Sequence, residues 1–205
     1  MSAPATSARA AAPSITLLLA PLTRGLAEAE RPAFLARLEQ MAAQRYRAWA
    51  EQAPAHASVL LACADSEQEI AARAVRLFPL NAAQNAKLDA LLPQARQLYS
   101  SLFVGLSLPQ QLELQAAAER QGAGVWQALA ATPGLPHAMR EALAECARLE
   151  EESAARADRS ARPCRRDRAG SRPTRTPRAA ARRRPERGPR SPACGGSGST
   201  SGTPA

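Results

Sequence analysis

Along the first three-quarters of the chain, apolar residues recur at intervals of three and four, the spacing of amphipathic helices rather than strands. Phe34, Leu38, Met41 and Trp49 form one stripe, with Leu35, Ala42 and Tyr46 on the strip beside it. Pro32 suits the first turn of that helix, where a missing N–H costs nothing, and Pro54 stops the pattern. The spacing predicts a helix over about 32–52, with Glu39 on its outward face. A second seam runs through Val59, Cys63, Ile70, Ala74 and Leu77. Ser66-Glu67-Gln68-Glu69 has the S-x-x-E form of a capping box and would start a new helix at Ser66. The seam stays in phase across it, which favours one long helix.

Shorter elements are predicted after Pro79. Asn81 caps a helix over 82–91, and Pro93 opens another towards Gly105. Leu88, Leu91, Ala95, Leu98 and Leu102 share a face, so the two pack as one kinked unit. Ser107-Leu108-Pro109-Gln110 is a second capping box. Its helix reaches Gln121, weakens at Gly122 and Gly124, and continues through Val125, Trp126 and Leu129 to Ala131. Thr132-Pro133-Gly134 marks a turn, and Pro136 begins a last helix with the seam Met139, Leu143, Cys146 and Leu149. No window alternates with the period of two that strands require. The predicted fold is all-α, a compact bundle or array of five to seven amphipathic helices. No unit of 30–45 residues repeats, which argues against a solenoid.

Composition sharpens this picture. Of the 205 residues 49 are Ala, which lets helix axes approach closely. The seven aromatics all fall between 34 and 126 and are expected to anchor the core. Charge is divided unevenly: residues 1–158 hold 14 Lys+Arg against 16 Asp+Glu, whereas 159–205 hold 13 Arg against Asp167 and Glu186. The formal charge of +9 therefore belongs to the tail. That tail has no Leu, Ile, Val, Met, Phe, Tyr or Trp, so it cannot offset the ~1–2 kcal/mol per residue of backbone ordering. The expected organisation is a disordered N-terminal segment over 1–13, a helical domain over 14–158, and a disordered Arg/Pro/Gly-rich tail over 159–205. The longest apolar run near the start, Ile15–Ala20, is far short of the ~20 residues of a membrane span.

Chemistry is sparse. His56 and His137 are the only histidines, and neither follows a Glu by three as a di-iron carboxylate bundle of the Glu-x-x-His type requires. H-E-x-x-H is absent too. The sequence thus predicts no metal site, no cofactor and no catalytic residue, and no phosphate-binding or hydrolase motif anchors an enzyme. Cys63 and Cys146 lie on seams as small hydrophobes. Cys164 and Cys194 lack C-x-x-C spacing, and no disulfide framework is expected. Glu141 and Glu145 read as a charged outer face with Arg148. Glu119, Arg120 and Trp126, around the glycine interruption, are candidates for a ligand or partner contact. Arg182, Arg183 and Arg184 are candidates for polyanion contact, although the Arg/Ala/Pro/Gly bias of the tail is also what a shifted reading frame in GC-rich DNA produces.

These features lead to the expectation of a non-enzymatic, cytoplasmic helical interaction or regulatory domain with a protein partner, bacterial in its preference for Arg over Lys. Two alternatives stand beside it. One is a small-molecule or cofactor-binding protein with an aromatic-lined pocket around Trp49 and Trp126. The other is nucleic-acid binding through the tail.

Overall fold

The computed structural model describes residues 14–162; the segment 1–13 and residues 163–205, with Cys164, Cys194, Arg182, Arg183 and Arg184, lie outside the described residues. Six α-helices are present: α1 (Ile15–Thr23), α2 (Arg31–Gln52), α3 (Ala57–Leu77), α4 (Ala82–Ser101), α5 (Leu108–Ala130) and α6 (His137–Ala161). Among the described residues there is no strand. The fold is all-α, with a helix count inside the expected range. No helix among the described residues is long and apolar enough to cross a membrane.

Local sequence explains most boundaries. The Asn81 side chain accepts from the Gln84 N–H at 2.9 Å, and the Gln84 side chain accepts from the Asn81 N–H at 3.0 Å. At the start of α5, Gln110 Oε1 accepts from the Ser107 N–H at 2.9 Å. Ser66 starts no helix; its hydroxyl bonds back to the Ala62 carbonyl at 3.1 Å, and α3 is the single helix that its seam favours. Pro93 differs from expectation. It sits inside one continuous α4, because its site is exposed and the backbone acceptor that it deprives can turn to water.

Helices α2, α3, α5 and α6 form a four-helix bundle whose direction of packing can be read from two core clusters. One joins Tyr46, Trp49 and Ala50 of α2 to Leu60 and Cys63 of α3, Leu112 and Ala116 of α5, and Ala154 and Ala157 of α6. The other joins Ala36 of α2 to Ile70 and Ala74 of α3, Trp126 of α5, and Leu143 and Cys146 of α6. The end of α2 thus meets the starts of α3 and α5 and the end of α6. The order is up-down-down-up, with α4 as the long crossover between two antiparallel hairpins.

α1 and α4 pack outside this bundle. Leu19, Leu22 and Leu26 meet Phe34, Leu88 and Ala95 in a third cluster over the first half of α2. The covering layer changes which side of α2 faces where. Ala36, Glu39, Ala43, Tyr46 and Ala50, spaced 3-4-3-4, turn into the bundle and are all buried, whereas Leu38 packs on the outer cluster and is only half-buried. The apolar stripe expected to define the core therefore splits between two layers.

Candidate metal centre

Between the two core clusters, each bundle helix carries one glutamate: Glu39 on α2, Glu67 on α3, Glu119 on α5 and Glu150 on α6. All four are buried, and one carboxylate oxygen from each lies within 4.8 Å of the others. Sequence spacing puts them there. Glu67 is four residues after Cys63 and three before Ile70; Glu150 is four after Cys146 and four before Ala154. Glu119 lies seven residues from both Leu112 and Trp126, and Glu39 three from Ala36 and seven from Tyr46. Each occupies a seam position where an apolar residue would ordinarily pack. The outward placement expected for Glu39 is wrong: its exposure is 5%, because the outer cluster takes the Leu38 face and turns Glu39 inward.

Two of the four carboxyls are held by neighbouring donors. Tyr46 Oη donates to Glu119 Oε1 at 2.9 Å, and Gln115 Nε2 donates to the same oxygen at 2.7 Å. Trp126 Nε1 donates to Glu150 Oε1 at 3.2 Å. Glu39 and Glu119 both lie against the Glu150 carboxyl, close enough to share a proton with it. Glu67 is different: the Ser153 hydroxyl lies near enough to act on its carboxyl, but neither of its oxygens has a partner at good hydrogen-bond geometry. Glu150 Oε2 and the Ser153 hydroxyl are also without one. These four atoms are all the buried side-chain polar atoms left unsatisfied among the described residues, and they converge on one layer. Buried polar atoms without partners are rare and costly, at about 1–3 kcal/mol each.

Electrostatics compounds the cost. Burial pushes Glu39 from the ordinary carboxylate value of 4.5 up to about 8, and the charge of Glu119 adds to the rise. Burial also raises Glu119, against the hydrogen bonds that Glu150, Gln115 and Tyr46 supply. Glu67 and Glu150 stand well above the usual range, from burial first and from their acidic neighbours second. Two cations act on the cluster from a distance without bonding to it. Arg45 bonds Gln115 at 3.4 Å and lies over the Phe103 ring, while Arg156 bonds Ser66 and Glu152. Without a further cation, several of the four carboxyls must hold protons near neutral pH.

One side of the layer opens on a cavity. Helices α2 and α5 are bridged at one end by long side chains, with Trp49 Nε1 donating to Gln111 Oε1 at 2.8 Å and the Tyr46–Glu119 bond one turn further. Towards the other end a space of about 390 Å³ remains, with Ile15, Leu19 and Thr23 of α1 in its lining. Glu39, Glu119 and Glu150 line this space, and Glu67 lies on the far side of the layer. Gly122 is also tight against the site: a Cβ there would come within 2.5 Å of Glu150 Oε1.

Of the residues singled out by sequence, Glu119 and Trp126 meet in this layer. Arg120 does not; it is exposed and paired with Asp158 on the outer surface. Trp49 and Trp126 belong to separate core clusters and do not line the cavity, whose aromatic members are Phe34 and Tyr99. Sequence reasoning misses Glu39, Glu67 and Glu150; the signal available for them was one Glu in phase with the buried positions of each of the four longest helices, masked on α6 by the run Glu150-Glu151-Glu152. Cys63 and Cys146 are buried, and burial pushes their thiols up to about 12 and 11, away from thiolate chemistry. Arg148 bonds Glu145 at 2.7 Å and also pairs with Glu152, the charged outer face expected of α6. Comparison with family models, with curated proteins and with solved structures finds no match to this chain.

Proposed function

We propose that this protein binds a pair of divalent cations between Glu39, Glu67, Glu119 and Glu150, as a carboxylate-bridged dinuclear centre in a four-helix bundle. The observation that carries this reading is the convergence, on one layer, of all the partnerless buried side-chain oxygens among the described residues. Tyr46 and Gln115 satisfy one oxygen of Glu119 and Trp126 one of Glu150, but neither oxygen of Glu67 has a hydrogen-bond partner of good geometry. Cations satisfy all of them, and two divalent ions balance four carboxylates in charge. Bundles that hold two iron or manganese ions likewise take one carboxylate from each helix, and add a His three residues after two of them. Here Ile70 and Ser153 occupy those positions, so the donor set is oxygen alone. Such a set suits Mn²⁺ and Mg²⁺ better than Zn²⁺ or Cu²⁺. This departs from the sequence expectation of no metal, which rested on the missing histidines.

The test is a Mn²⁺ titration of the full chain followed by electron paramagnetic resonance. Two Mn²⁺ per chain with an exchange-coupled signal are expected. Glu119→Gln, which keeps the side chain's shape, should weaken binding by at least about tenfold. Absence of stoichiometric binding would overturn the reading.

Gly122 offers a second check. Gly122→Ala should lower stability by about 1–3 kcal/mol, since a methyl group entering a filled layer against the fully buried Glu150 carboxyl outweighs the better helix propensity of Ala. Its methyl group must push the Glu150 carboxyl aside, so Mn²⁺ affinity should fall by about tenfold or more. Unaltered affinity would show that Glu150 is not a ligand in the position seen.

A further inference from the structure

Resting on the metal reading above, we infer that the cavity beside the carboxylate layer binds a medium-chain aliphatic carboxylate, its head on the cations and its chain along the apolar walls. The walls are Ile15 and Leu19 from α1, Phe34 and Leu38 from α2, and Val125 and Leu129 from α5. Glu39, Glu119 and Glu150 form the floor, and the polar residues Thr23, Glu28, Arg31 and Gln121 also belong to the lining. A space of about 390 Å³ falls within the range of small-molecule sites. At about 30 Å³ per water-sized group it holds roughly a dozen non-hydrogen atoms. Water would fill it poorly, since along the aliphatic walls it finds few of the two to four polar partners that it needs.

The floor and the walls specify the two parts of the ligand. Cations held by the four carboxylates would be reached from the cavity past Glu39, Glu119 and Glu150, which line it. Hard divalent cations take oxygen donors, and an anionic oxygen is preferred. A protonated amine head has no lone pair to offer the cations and gains nothing from a charge-balanced site. Above the floor the aliphatic walls reward hydrocarbon at about 25 cal/mol per Å² of apolar surface removed from water. Decanoate, with twelve non-hydrogen atoms, matches the floor, the walls and the volume.

The experiment follows the proton lines of decanoate in the presence of full-length protein loaded with Mn²⁺, with decylamine and butyrate as comparisons. Bound Mn²⁺ should broaden decanoate most at C2 and progressively less towards the methyl end. Butyrate should bind at least tenfold more weakly, and decylamine should show no broadening. Val125→Trp, at the partly exposed edge of the cavity, should lower decanoate affinity at least tenfold while two Mn²⁺ still bind; Leu38→Trp gives the same test from α2. Several results would overturn the inference. These are a loaded protein that ignores decanoate, broadening strongest at the methyl end, tighter binding of decylamine, or unchanged affinity in both Trp variants with folding verified. A protein that takes up no Mn²⁺ overturns the metal reading as well, so the two failures are distinguishable.

Discussion

Raising the pH from 5 to 8 should lower the thermal midpoint of the metal-free protein by about 10 °C or more, and Mn²⁺ should restore it. The direction follows from the carboxylate layer. Glu39 releases its proton near 4.5 in an unfolded chain but only at about 8 when buried. Glu67, Glu119 and Glu150 are shifted the same way. The folded state therefore holds more protons than the unfolded state across this window, and its stability declines as pH rises. That stability is fully present below pH 4.5 and is lost on approach to pH 8. For one such group the loss is about 1.4 kcal/mol per pH unit, and about 2–4 °C of midpoint accompanies each kcal/mol at this size. Cations replace the protons, so their stabilisation grows with pH. At a hundredfold excess over Kd it reaches ~2.7 kcal/mol. A metal-free midpoint that stays flat or rises between pH 5 and 8 would show that the layer is not the buried acid cluster described.

The helices were legible because spacing of three and four survives any choice of apolar side chain, and because Asn81 and Ser107 carry their caps in the sequence. Pro93 was misread because its effect depends on exposure: at an exposed position α4 tolerates the missing bond. The carboxylate layer was hidden for a different reason. A Glu inside a helical pattern ordinarily marks the solvent face, so the pattern places Glu39 outward and reads Glu67 only as part of a capping box, leaving a gap between Cys63 and Ile70. Glu67 fills that gap at intervals of four and three. Seen alone it is one polar residue in a seam; only packing shows that Glu39, Glu119 and Glu150 occupy the same level. The cavity was beyond sequence altogether, since its walls come jointly from α1, α2 and α5, and α5 lies far along the chain from the other two.

Two buried glutamates of this protein should respond in opposite ways to the same substitution. Glu30 accepts from the Ala27 N–H at 2.8 Å and pairs with Lys87 Nζ at 2.6 Å. Glu30→Met strands both donors, and the midpoint should fall. Glu67 has no such partners, and its desolvated carboxyl is a burden on the metal-free fold. Met is close to Glu in volume, is unbranched and favours helix, so it fits between Cys63 and Ile70 without a cavity. Replacing buried charge by a well-packed apolar side chain commonly stabilises by about 1–4 kcal/mol. Glu67→Met should therefore raise the metal-free midpoint at pH 8 by several degrees while abolishing the response to Mn²⁺. A residue kept for folding would show the reverse, a loss of stability on substitution. A gain in stability together with the loss of cation binding is the pattern of a side chain retained for its ligand, at the expense of the fold that holds it.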